Sequence, residues 1–259
     1  MLSKNTVEKV LKSEVSFTKL FSKVYEEQNG PCPFIRFYDD ALKDMYDHNF
    51  SLIVSKIDDN ALNYLMSIKE KRSESFIKIS AVEHQEFLVQ KGFEEEITLT
   101  LAKEDYQNFK VPSIDFVEYK RYTENNDIIS DVIKLEKEYY GKEYGEDFCE
   151  RRWLRYKKRI DEDNKCGLDI WVVYAGTIPI AYSYSFSMHG VVSMDGLLVV
   201  KEYRNKYVAS NLIKAIAAYY QCPIYLHAEE SETPKELYYK LGFEKCSISY
   251  DYLLLDKKQ

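Results

Sequence analysis

Val191–Val200 (VVSMDGLLVV), Lys201–Ala209 (KEYRNKYVA) and the run on to Tyr220 set a strand, a basic turn and a helix in immediate succession. Ile224–Ala228 (IYLHA) and Glu236–Glu244 (ELYYKLGFE) then add a second strand and a helix closed by Gly-Phe. A strand that feeds Arg204, Asn205 and Lys206 into a helix start builds an anion site. The first amides of a helix have no intrahelical acceptor, and the positive end of the helix dipole points the same way.

Upstream of this stretch, Asp169–Tyr174, Ile178–Met188 and Val191–Val200 read as a strand meander. Its turns fall at Ala175-Gly176-Thr177 and His189-Gly190. Asp115–Tyr122 reads as a further strand, and Phe148–Ile160 as a basic helix. Between them Asp127–Tyr140 carries Ile128, Ile129, Val132, Ile133 and Leu135 at the spacing of one helix face. Pro112, within the polar stretch Asn108–Ile114, marks a linker.

Before that linker the closing pattern occurs once more. Ser75–Ala81 reads as a strand, Val82–Lys91 as a short helix, Gly92-Phe93 as its end and Glu95–Ala102 as a strand. The later counterparts are Ile224–Ala228, Pro234–Leu241, Gly242-Phe243 and Cys246–Leu255, with the two Gly-Phe pairs 150 residues apart. In both copies glycine sits at the helix C-cap and phenylalanine can fold back on the last turn. This predicts two related domains, 1–110 and 115–259, the first of them reduced. Ordinary capping in any α/β protein would leave a similar trace.

Composition narrows the function classes. At 259 residues the chain can bury a sizeable core, and 45% hydrophobic with 31% charged residues is ordinary for a globular protein. No run of eighteen apolar residues occurs and Met1–Val15 lacks a signal-type apolar stretch, so a cytoplasmic protein without membrane partners is expected. A net charge of −7 speaks against a nucleic-acid partner. The five cysteines (Cys32, Cys149, Cys166, Cys222, Cys246) are scattered and read as free thiols. The four histidines (His48, His84, His189, His227) stand at no ligand spacing, so no metal is expected.

The order of elements over residues 115–259 resembles the acetyl-CoA-binding half of the GCN5-related N-acetyltransferase (GNAT) family. That resemblance implies an α/β (α+β) fold with a mixed, mostly antiparallel central sheet flanked by helices. It implies acetyl-CoA as cosubstrate and a primary amine of a small molecule or protein as acceptor. The family's pyrophosphate motif, Arg/Gln-x-x-Gly-x-Gly/Ala, matches Arg204-Asn205-Lys206-Tyr207-Val208-Ala209. Tyr207 stands where the family prefers glycine, and Asn205 replaces a second common glycine; those glycines let phosphate oxygens approach the main chain. A tyrosine is compatible with binding if its φ is helical and its ring turns outward. The resemblance also assigns the pantetheine arm to the edge of Leu197, Leu198 and Val199, where the family splays two strands apart.

For proton transfer, the family often uses a tyrosine four residues before the glycine of Gly-Phe, which is Tyr238 here. A packed helix tyrosine is the plainer reading in a chain with 23 tyrosines. In the first copy Leu88 occupies the matching place, so that copy is expected to be non-catalytic. Asp195 is the candidate base, with Ser193 on the same strand face and His227 as a further option; a water chain would also serve. The acceptor is expected at Tyr139–Phe148 (YYGKEYGEDF), whose carboxylates and rings suit a cationic amine. Two other functions fit the same pattern: a non-catalytic acyl-CoA-binding or sensor module, and aminoacyl transfer from charged tRNA. The acidic balance disfavours the tRNA reading.

Overall fold

A computed structural model describes residues 2–27, 33–231 and 234–256; Cys32 lies outside the described residues. In chain order the elements are α1 (Lys4–Phe21), β1 (Lys23–Glu27), β2 (Phe34–Tyr38), β3 (Phe50–Ile53), α2 (Asp59–Arg72), β4 (Phe76–Ala81), α3 (Glu86–Gln90) and β5 (Glu94–Lys103). They continue with β6 (Glu118–Arg121), α4 (Ile128–Tyr144), α5 (Glu146–Glu162), β7 (Leu168–Ala175), β8 (Ile178–Met188), β9 (Val191–Val199), α6 (Val208–Tyr220), β10 (Ile224–Glu229), α7 (Pro234–Lys240) and β11 (Glu244–Leu255). Among these helices none is long and apolar enough to cross a membrane.

The described residues form two compact units that interleave along the chain. The first holds residues 2–16, 101–227 and 234–246; the second holds 17–27, 33–100, 228–231 and 247–256. The sequence reading divides the chain once, at 110–115. It has no means of assigning residues 2–16 to the later unit or residues 247–256 to the earlier one, because those memberships come from packing.

In the first unit the strand order is β10-β9-β8-β7-β6, antiparallel from β9 to β6 and parallel between β9 and β10. Strands β7 and β8 are buried almost throughout, as expected of strands covered on both faces. Helix α5 buries Cys149, Trp153, Tyr156 and Ile160, one stripe at helical spacing. Helix α1 is tied to this unit through Val10, which packs with Ala102, Val191 and Tyr225. In the second unit β1, β2 and β3 are antiparallel neighbours, β3 and β4 are parallel, and β11 runs antiparallel beside β4. Its core gathers Phe34, Ile53, Leu65, Ile79, Leu88, Phe93 and Tyr252.

Element order agrees with the sequence reading, while several boundaries differ. The first strand after the linker is Glu118–Arg121, not Asp115–Tyr122, and the first short helix covers only Glu86–Gln90. The segment Tyr139–Phe148 is almost wholly helical. Gly145, at φ 91°, is the single joint between α4 and α5. Ion pairs Asp147–Arg151, Asp161–Lys157 and Glu162–Lys158 stand at i,i+4 along the exposed side of helix α5. The segment where the acceptor is expected is therefore a helix–helix corner, with no open loop.

Candidate active site

After Val199 the chain makes a 3-10 turn at Lys201–Tyr203 and passes extended through Arg204 into α6. Asn205 (φ 60°) and Tyr207 (φ 61°) both adopt left-handed backbone, the conformation glycine takes most readily. For a non-glycine residue this costs roughly 1–2 kcal/mol, so the surrounding turn dictates it. The helical φ considered for Tyr207 is not what forms, though its ring does turn outward, at 53% exposure. Tyr207 is the N-cap of α6 and makes no side-chain cap bond, and the first helical turn carries no acidic residue. Asn211 braces the turn: its amide N–H and its Nδ2 both donate to the Tyr207 carbonyl, at 3.0 and 2.9 Å. Nδ2 also donates to the Pro112 carbonyl. Arg204 Nε donates to the Val199 carbonyl at 3.0 Å, and Lys206 Nζ lies 5.1 Å from the Tyr203 ring centre.

Two irregularities mark β9. Against β8 the register slips from Tyr184↔Asp195 to Tyr182↔Leu198, which inserts one extra residue into β9. Gly196 sits in this bulge at φ +60°, and a Cβ there would meet the Tyr184 ring at 2.9 Å. Only glycine fits. On its other side β9 pairs with β10 at just two positions, Val192↔Ile224 and Ser193↔Tyr225. Beyond them the ladder stops, so the β10 side of Leu197, Leu198 and Val199 carries no β10 pairing. Leu198 is buried and paired with Tyr182 of β8; Leu197 and Val199 are half-buried.

Asp195 stands at the bulge and is held from several directions. Its Oδ1 accepts the Gly196 amide at 2.6 Å, its Oδ2 accepts the Tyr184 hydroxyl at 3.1 Å, and Ser183 Oγ donates to its carbonyl at 2.7 Å. His227, on β10, places Nδ1 3.8 Å from Asp195 Oδ2 and Nε2 3.0 Å from Glu14 Oε1 of α1. Burial works against a charge on His227, yet its contacts with Asp195 and Glu14 outweigh it and push the imidazole up to about 10. A proton held that firmly leaves His227 unsuited to act as a base near neutrality. The folded value lies above the usual ~6.5. The stability this ion pair contributes is therefore fully present below about 6.5 and lost as pH rises through about 10.

Tyr238 lies on α7, buried, with its ring 6.0 Å from that of Phe243. Gly242 at φ 84° closes the helix, and the Phe243 amide donates back to the Tyr238 carbonyl at 3.0 Å. At the α4–α5 corner Tyr140, Tyr144 and Phe148 form a ring series at 6.0 and 6.2 Å. Burial, then neighbouring carboxylates, push the Tyr140 and Tyr144 phenols upward. Beneath them Glu136 is buried and bonded to Arg152 and to the Tyr182 hydroxyl. The four described thiols are free; burial pushes Cys222 and Cys246 up to about 11.

The structure thus joins Asp195 to His227 and places Arg204, Asn205, Lys206, Tyr207, Val208 and Ala209 at one helix start. Tyr238 stands on a separate element. Sequence reasoning missed Glu14, Tyr184 and the bulge. A glycine inside the apolar strand, Gly196, was the one available signal for the bulge.

This architecture is shared with solved GCN5-related N-acetyltransferases over nearly the whole chain. Residues 129–243 match the family model described as "Acetyltransferase (GNAT) family". A functionally unknown conserved protein from Staphylococcus epidermidis is similar over 95% of this chain and 100% of its own, at 14% identity and TM-score 0.73. A GCN5-related N-acetyltransferase from Kribbella flavida is similar over 98% and 95%, at 13% identity and TM-score 0.57. A tandem GNAT protein from the clavulanic acid biosynthesis pathway is similar over 98% and 96%, at 10% identity and TM-score 0.56. At such low identities these likenesses establish the fold. No curated protein matches the chain.

Proposed function

We propose that the second domain transfers an acetyl group from acetyl-CoA to a primary amine of a small molecule or a protein. The observation that carries this reading is the α6 start. There Asn205 and Tyr207 keep the left-handed backbone that the family's glycines would supply, and the N-cap side chain makes no cap bond. The turn therefore fits a pyrophosphate despite the tyrosine, since the outward ring leaves the amides accessible. The β10 side of Leu197–Val199 offers backbone groups to a pantetheine amide. Arg204, Lys206, Val208 and Ala209 complete the cradle.

When bound, acetyl-CoA supplies an activated acyl carbon and a thiolate leaving group. Asp195, fixed by Gly196 and Tyr184, receives a proton from the incoming ammonium directly or through water. The Tyr238 hydroxyl returns one to the leaving sulfur. Bifunctional proton management of this kind contributes about 10²–10⁴-fold. The helix corner at Tyr140, Tyr144, Glu143 and Glu146 receives the cationic acceptor. The first domain, with Leu88 at the Tyr238 place, is a non-catalytic related copy.

Calorimetric titration with acetyl-CoA tests this, followed by thiol release against a panel of primary amines. Micromolar binding is expected in the wild type. Arg204→Ala should weaken it about tenfold, equivalent to ~1.4 kcal/mol. Absence of binding by the wild type would refute the cofactor reading. Binding without turnover on any amine would instead favour an acyl-CoA sensor.

A further inference from the structure

Glu14 has no place in the proton chemistry above, yet it closes one side of the His227–Asp195 contact. Its α1 helix lies against β9 and β10 through Val10, Val191 and Tyr225. Ser13, its neighbour, accepts the Tyr225 hydroxyl at 3.0 Å. Glu14 Oε1 stands 3.0 Å from His227 Nε2, and Asp195 Oδ2 stands 3.8 Å from His227 Nδ1. A neutral imidazole has one N–H and one lone pair, so it would turn a lone pair toward one of the two carboxylates. Only the imidazolium offers a donor to each.

We infer that Glu14 is a positioning residue of the transfer site, holding His227 as a cation that orients and charge-balances the Asp195 carboxylate. The inference rests on Asp195 as the proton acceptor. The groups around the imidazole come from four elements. Glu14 is on α1, Asp195 on β9, Tyr225 on His227's own strand with ring centres 5.9 Å apart, and Tyr184 of β8 reaches it through Asp195. Cys246 of β11 also feels the Glu14 charge. Asp195 Oδ1 accepts the Gly196 amide, while Oδ2, which accepts the Tyr184 hydroxyl, is the oxygen that His227 faces. Loss of the imidazolium proton would set a lone pair against a carboxylate and open the clamp. The raised titration of His227 agrees with this arrangement.

The test is an NMR titration of the His227 ring in the full chain, wild type and Glu14→Gln. The pH dependence of kcat is measured alongside, on acetyl-CoA and the amine found by the screen above. His227 is expected to titrate at least two units above the ordinary ~6.5 in the wild type, and about a unit or more lower in Glu14→Gln. The alkaline limb of kcat should move down by the same amount with KM unchanged, and Glu14→Asp should restore part of it. A wild-type His227 that titrates near ~6.5 overturns the inference and leaves Asp195 untouched. So does a kcat limb that stays in place while the His227 titration moves. If Glu14→Gln fails to fold, His227→Gln carries the test: kcat should fall about tenfold and lose its alkaline limb, and an unchanged profile overturns the inference. Failure of the underlying reading shows separately, as an Asp195→Asn variant with wild-type kcat.

Discussion

Two segments of this protein share one construction and differ in chemistry. In the second unit β3, α2 and β4 make a strand, a helix and a parallel strand; in the first unit β9, α6 and β10 do the same. Helix α2 starts at Asp58, whose carboxylate accepts the Ala61 amide at 2.8 Å, with Asp59 following in the first turn. Helix α6 starts at Tyr207, with no side-chain cap and no acidic residue in its first turn. An internal carboxylate takes one of the first amides of α2, whereas the N-cap side chain of α6 takes none. A strand–helix–strand unit therefore makes an anion site only when nothing on the chain already fills it.

The helix ends compare in the same way. Gly92 and Gly242 take nearly the same φ, 87° and 84°. Phe93 donates to Leu88 at 3.1 Å as Phe243 donates to Tyr238 at 3.0 Å. The backbone is equivalent, and the side chains are not. Leucine offers no proton at the place where tyrosine offers one.

Three substitutions probe this contrast. Tyr238→Phe makes the second cap as proton-poor as the first; kcat should fall about 10²–10⁴-fold with little change in KM, measured by steady-state thiol release. A variant that keeps wild-type kcat would return Tyr238 to a packing role. Tyr207→Asp gives α6 the acidic cap that α2 carries. Aspartate tolerates left-handed backbone, so the fold should persist while acetyl-CoA affinity drops at least ~tenfold by calorimetry, equivalent to ~1.4 kcal/mol. Unchanged affinity would mean that the α6 amides do not hold phosphate. The smallest effect is expected from Asp58→Ala, which uncaps α2: about 1 kcal/mol of stability lost in denaturant unfolding, with no second acetyl-CoA site gained. A second binding event in that variant would show that the cap alone separates the two helices.

Element order was readable because it follows from local rules. Alternating apolar positions announced the meander, and Gly-Phe announced both caps. The basic turn announced the α6 start. Boundaries were less readable where tertiary contacts extend or trim an element. Tyr139–Tyr144 continues α4 through Gly141, a poor helix former, because the corner rings and the buried Glu136–Arg152–Tyr182 contacts support another turn. A helical φ at Tyr207 was a condition for its tolerance in the phosphate turn; the turn imposes the opposite sign.

By itself the sequence determined which strand feeds which helix, where the positive charge of the turn lies, and that Leu88 and Tyr238 occupy matching places. Each of these depends on residues within a few positions of one another. The tertiary structure alone decided that β9 bulges at Gly196, that β9 and β10 separate after Ser193 and Tyr225, and that the compact units interleave. It alone brought Glu14 to His227 across 213 residues of chain. Such contacts arise from packing whole elements against each other, and no spacing along one strand or helix encodes them.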